Sequence, residues 1–150
     1  GAMGILQEIA RHLLRRPVVG IAAVARDAEG RLLLVRRGDT GTWALPGGTL
    51  EWGEQLRDAI PREIEEETGA RWCALDRVTG VYSRPDRDPR FHAVTICVRG
   101  TVEGPARGPR NGVEIREVRF FAPEELPPTL AMGMRDMLDD ALAEREVVLE

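Results

Sequence analysis

Glu63, Glu66 and Glu67 lie in a segment, 55–68, whose spacing predicts a helix. At about 100° per residue, Leu56, Ala59, Ile60 and Ile64 share one side, and the three glutamates fall within the same arc. Arg57, Asp58, Pro61 and Glu65 take the opposite side. The carboxylates therefore prolong an apolar stripe. Two carboxylates about 4 Å apart repel by roughly 4 kcal/mol at an effective dielectric near 20. A trio facing inward must be protonated, solvated in a cleft or neutralised by a cation. Oxygen ligands with no Cys or His nearby suit a hard ion, Mg²⁺ or Mn²⁺. Periodicity alone leaves one alternative open, a Glu-rich helix face turned to water.

The segment needs neighbours to hold it. Pro46-Gly47-Gly48 directly precedes it, and glycine allows a close backbone approach. This stretch reads as the loop that brings a backbone carbonyl to the ion. Gly69 suits the helix C-cap. Pro61 lies mid-helix, where it removes the hydrogen bond to the Arg57 carbonyl at a cost on the order of 3 kcal/mol. Its phase is on the solvent side, so a kink is expected there with the acidic turn beyond it intact.

Gly48, five residues, Glu54, seven residues, then Arg62-Glu63-Ile64, one residue, Glu66-Glu67, one residue and Gly69-Ala70 resembles the Nudix box. The resemblance implies that Glu63, Glu66 and Glu67 are divalent-metal ligands, joined by the carbonyl of Gly47. It implies that Arg62 pairs with a glutamate to orient the cluster and that Glu54 is the acid at the helix head. The implied activity is hydrolysis of a pyrophosphate within a nucleoside diphosphate linked to a second group. The general base varies in such enzymes. Glu66 is one candidate, and Glu114, beside the glycine-rich stretch 103–112, is the loop candidate; an exposed strand-edge carboxylate is the plainer reading of Glu114.

Substrate choice must come from elsewhere. Arg84, Arg87, Arg90 and His92 precede a strong strand, and guanidinium forks suit bidentate phosphate binding. The run PDRDPRFH resembles a segment of the family's ADP-ribose pyrophosphatases, with Phe91 where glycine often stands. ADP-ribose or a related nucleoside diphosphate sugar is thus the first expectation. A (d)NTP, a dinucleoside polyphosphate or a non-catalytic nucleotide-sensing module are the alternatives, and a solvated charged turn is the plain reading of the loop. Trp43, Trp52 and Trp72 could stack a base, but packing at the core or rim is the simpler role.

A chain of 150 residues is expected to form one domain over 17–150, with a helix over 5–16 before it. Gly1-Ala2-Met3-Gly4 resembles a tag-cleavage scar and is set aside. The net charge of −4 argues against a nucleic-acid surface. All 21 basic residues are arginine, so no lysine chemistry is open to the chain. No apolar run is long enough to span a bilayer and no signal-peptide pattern is seen, so the expected location is the cytoplasm. Cys73 and Cys97 are expected to be buried free thiols. The resemblance also implies a homodimer as a common assembly.

Strands are expected over 18–25 and 31–37 as a hairpin, 43–45, one or two over 71–82, 91–102 and 114–121. Loops fall at 83–90 and 103–112, a short helical turn at 123–126 and a last helix at 130–143. The helix over 5–15 is expected to cover the core or a partner subunit. This order predicts an α/β fold, an α/β/α sandwich around a mixed sheet with an additional N-terminal helix. That is also the architecture the Nudix resemblance implies.

Overall fold

The computed structural model describes residues 1–109 and 112–150. Its elements run α1 (Ala2–Leu14), β1 (Val18–Arg26), β2 (Leu32–Arg37), β3 (Trp43–Ala44), β4 (Gly47–Thr49), α2 (Leu56–Thr68), β5 (Arg71–Tyr82), β6 (Ala93–Glu103), β7 (Ile115–Phe121), α3 (Met134–Leu142) and β8 (Val148–Leu149). Among the described residues, no helix is long and apolar enough to cross a membrane.

One mixed sheet forms the middle layer, in the order β3-β2-β1-β6-β5-β8, with β4 on β1 and β7 on β2. β1 is its axis. It runs parallel to β6 from Val18 opposite Ala93 to Arg26 opposite Thr101. Successive side chains of a strand point to opposite faces, and here they feed two cores. Ala22 and Val24 join Leu32, Leu34 and α3's Met137, Leu138 and Ala141. Ile21, Ala23 and Ala25 join Leu33, Val98 and α2's Ala59, Ile60 and Ile64. A helix on each face completes the α/β/α sandwich.

α3 is fastened to the sheet by polar ties as well. Arg99 donates to the Ala141 carbonyl at 2.8 Å and to Asp76 at 2.6 Å. The Tyr82 hydroxyl bonds Asp140 at 2.8 Å.

Several expectations need correction. The β1–β2 hairpin pairs only at its turn, through Arg26 and Leu32, because β4 occupies the next stretch of the same edge of β1. Gly47–Thr49 is a strand, not a loop. The helix expected over 130–143 is split: a 3₁₀ turn spans Ala131–Gly133, with Met132 at φ 56 and Gly133 at φ 66, and α3 starts after it. β8 had no forecast. Of the expected loop 103–112, Glu103 belongs to β6, and residues 110 and 111 lie outside the described residues. α2 runs from Leu56 to Thr68 with Pro61 inside and no break. It ends at Gly69, whose φ of 75 is the left-handed cap.

α1 departs furthest from expectation. It begins at Ala2, inside the four residues set aside. Met3, Ile5, Leu6, Ile9 and Leu13 are exposed, so the helix does not cover the core. Cys97 is buried, and burial pushes its thiol up to about 11, but Cys73 is exposed.

Candidate active site

α2 binds the sheet through Ala59, Ile60 and Ile64, and the same face carries Glu63 and Glu67 to the edge of the apolar layer. β4 runs close beside them. A Cβ on Gly48 would lie 2.5 Å from Cδ and Oε1 of Glu63, so the missing side chain is what admits that carboxylate. A Cβ on Gly47 would meet the Ile21 carbonyl at 1.9 Å. One glycine makes room for the acid, the other for strand pairing.

Ala23 donates to the Pro46 carbonyl, which makes Ala22 and Gly47 a pair without bonds between them. The amide and carbonyl of Gly47 therefore point away from β1. That amide donates to Glu67 Oε1 at 3.2 Å.

The acids differ in environment. Burial pushes Glu67 up to about 8; the Gly47 hydrogen bond and Arg37 oppose this, and the charges of Glu63 and Glu114 add to it. Burial raises Glu63 too, against the pull of Arg62. Glu66 is 46% exposed, does not line the cleft, and is held by Arg62 Nη1 at 3.1 Å. The expected inward trio is thus an inward pair with a third acid turned aside. Among the described residues, no three His, Cys, Asp or Glu side chains converge as they stand into a group that could hold an ion.

Arg62 is the hub of the outer acids. Its fork takes Glu54 through Nε at 2.6 Å and Nη2 at 2.8 Å, and its Nη1 reaches Glu63 at 3.2 Å. Hydrogen bonding to Arg62 lowers Glu54. The residues present fit a hard cation. Two carboxyl groups raised by desolvation, beside an outward-facing backbone carbonyl, form an oxygen-only donor set.

Glu63 and Glu67 open into a cleft of about 730 Å³. That is a size suited to a nucleotide-sized ligand. Arg37, Asp39, Asp88, Arg90, Phe91 and Glu114 line it as well. Arg37 is forked onto Asp39 at 3.0 and 2.7 Å. Arg90 is forked onto Asp88 at 3.1 and 2.8 Å, and its guanidinium lies 4.8 Å from the centre of the Phe91 ring.

Of the four arginine and histidine candidates for substrate binding, only Arg90 lines the cleft. Arg84 is turned to Asp86 at 2.8 Å. Arg87 is engaged with Glu150 and the Gly133 carbonyl. His92 closes its own loop, donating from Nε2 to the Ser83 carbonyl at 2.8 Å. Trp43 packs edge-on against Phe121 at 4.9 Å, and Trp72 lies against Gly100; Trp52 is fully exposed and belongs to neither core.

Arg37, Asp39 and Asp88 were missed by sequence reasoning. Arg37 and Asp39 bracket a turn that read only as a loop. The one available signal was an Arg-x-Asp spacing, present again, reversed, at 88–90.

The comparisons with known proteins agree with this geometry. The model of the NUDIX domain family matches residues 15–141. A MutT-like protein of Streptomyces ambofaciens is 37% identical over 124 residues, 83% of this chain and 76% of that one. An ADP-ribose pyrophosphatase of Methanocaldococcus jannaschii is 35% identical over 120 residues, 77% of this chain and 68% of that one. The solved structure of a MutT NUDIX hydrolase from Burkholderia pseudomallei matches with a TM-score of 0.72 at 29% identity, over 84% of this chain and 98% of that one. Box, sandwich and relatives lead to one conclusion: the chain belongs to the Nudix family and is a MutT-like pyrophosphohydrolase, of a family that acts on nucleotides and generally needs divalent metal ions.

Proposed function

We propose that this enzyme hydrolyses the pyrophosphate bond of a nucleoside diphosphate linked to a second group, ADP-ribose or a related nucleoside diphosphate sugar first, with Mg²⁺ or Mn²⁺. The observation that carries the substrate class is the charge of the cleft. Its wall holds two arginines against five carboxylates, and each arginine is already forked onto an aspartate. A diphosphate esterified at both ends brings less negative charge than a triphosphate. It therefore suits a wall with no uncommitted cation among its described residues. The ADP-ribose pyrophosphatase relative supports the same reading.

Glu63, Glu67 and the Gly47 carbonyl would hold the ion, with Glu66 swinging in from Arg62. When bound, such an ion polarises a phosphate oxygen and acidifies a coordinated water. Glu54 holds Arg62 in place, and Arg62 keeps Glu63 and Glu66 from splaying apart. Glu67 carries a proton at neutral pH while no cation is near, and releases it on taking a cation. Glu114 lines the cleft, whereas Glu66 does not, which favours Glu114 as proton acceptor for an attacking water.

The test is a panel of ADP-ribose, nucleoside diphosphate sugars, dNTPs and dinucleoside polyphosphates with each divalent ion, read by release of monophosphate. ADP-ribose should give the highest kcat/KM. Glu67→Gln and Glu66→Gln should abolish turnover, and retained activity in both would refute the assigned site. Tight nucleotide binding with no turnover under any ion would point instead to a sensing module.

A further inference from the structure

Arg87 was expected to meet substrate, yet it does not line the cleft. Its side chain is 8% exposed. Nε donates to Glu150 Oε1 at 2.9 Å, Nη2 pairs with Glu150 Oε2, and Nη1 donates to the Gly133 carbonyl at 2.9 Å. The guanidinium also lies 5.2 Å from the centre of the Tyr82 ring.

Glu150 is itself fixed. Its amide donates to the Val81 carbonyl at 2.9 Å, its carbonyl accepts from the Ser83 hydroxyl at 3.0 Å, and Oε1 accepts from the Arg84 amide at 2.8 Å.

The two segments that Arg87 joins both reach the cleft. One runs on into Asp88, Arg90 and Phe91, and the other is the left-handed turn bearing Met132 and leading to Met134. Gly133 is matched to this contact, since a Cβ there would lie 2.7 Å from Arg87 Nη1.

We propose that Arg87 is a positioning residue that locks these two wall segments to each other and to Glu150. It thereby sets how tightly the cleft receives its substrate, and not the rate of bond cleavage. The inference rests on the reading that this cleft is the substrate site.

The experiment compares Arg87→Ala, Arg87→Lys, Glu150→Ala and the Arg87→Ala/Glu150→Ala double variant. ADP-ribose kinetics are read together with hydrogen exchange of the substrate-free proteins. Arg87→Ala and Glu150→Ala should each raise KM by about tenfold while kcat stays within about threefold. The double variant should be no worse than the weaker single, because both break one lock. Arg87→Lys should not rescue, since an ammonium cannot span two acceptors as a fork does. Exchange over 84–92 and 131–134 should quicken in all variants.

Were Arg87 a phosphate ligand instead, Glu150→Ala would remove its main counter-charge, leaving Asp136 at 3.5 Å, and KM would fall or stay level. That result, or unchanged exchange in both segments, overturns the proposal. If Arg87→Ala fails to fold, Glu150→Ala carries the same test. Should the wild type turn over nothing on the panel, the substrate reading fails, while the exchange measurement still decides the lock.

Discussion

The adjacent glycines of β4 allow fold and chemistry to be separated by two single-methyl substitutions. In Gly48→Ala the new Cβ would stand 2.5 Å from the Glu63 carboxyl carbon. Carbon atoms pack at about 3.5–4 Å, so the carboxylate must retreat by about 1 Å. It sits at the end of a flexible chain, and the fold can absorb that movement. The chemistry cannot, because a displacement of about 1 Å costs on the order of a hundredfold in rate, roughly 2.7 kcal/mol of barrier. In Gly47→Ala the Cβ would meet the Ile21 carbonyl at 1.9 Å and the Ala22 Cα at 3.1 Å, both backbone atoms. β4 must then part from β1, a destabilisation of about 1–3 kcal/mol or more. Thermal unfolding and kcat/KM measured on both variants should therefore diverge. Gly48→Ala keeps most of its Tm and loses about two orders of magnitude in kcat/KM, while Gly47→Ala loses Tm. Full kcat/KM in Gly48→Ala would show that the position of Glu63 has no bearing on the reaction.

Replacing Pro61 by Ala restores an amide donor inside α2 and removes a ring clash, so urea unfolding should show a gain of about 1–3 kcal/mol with kcat unchanged. Mn²⁺ at about a hundred times its dissociation constant should stabilise the protein by about 2.7 kcal/mol in calorimetry. Glu67→Gln should erase most of that gain while leaving the metal-free stability nearly unaltered, since burial already keeps Glu67 protonated at neutral pH. Hydrogen bonding to Arg87 holds Glu150 at about 2, below its ordinary value of 4.5. A depressed carboxylate contributes stability that is complete above its unfolded pKa and lost as pH falls through the folded one. The stability gap between wild type and Glu150→Ala should thus be level above pH 5 and narrow between about pH 4.5 and 2.

What could be read from the chain alone was local. The helix of 56–68 follows from Leu56, Ala59, Ile60 and Ile64 at helical spacing, and its end from Gly69, because these depend on contacts three or four residues apart. The box extended that reading to Arg62, Glu54 and the reaction class. β4 was invisible, since two glycines carry no strand preference and only the open edge of β1 makes them one. β8 pairs Gly80 with Val148, and the hold of Glu150 on Arg87 joins positions 63 residues apart, separations no periodicity spans.

The acidic residues show the same division. Their place on α2 is set by sequence spacing, which puts Glu63 and Glu67 on the inner face. That Glu66 turns to Arg62 while Glu67 is desolvated beside Gly47 was settled by the strands packed against the helix. Arg37 and Glu114 reach the same cleft because β2 pairs with β7, Arg37 standing opposite Ile115. Within the 83–92 loop, alternation and helical phase have no meaning, so nothing in the chain could separate Arg90, which lines the cleft, from Arg87, which does not. Helical phase needs only neighbouring residues, whereas a cleft is made by elements that meet across the sheet, and only the folded chain brings them there.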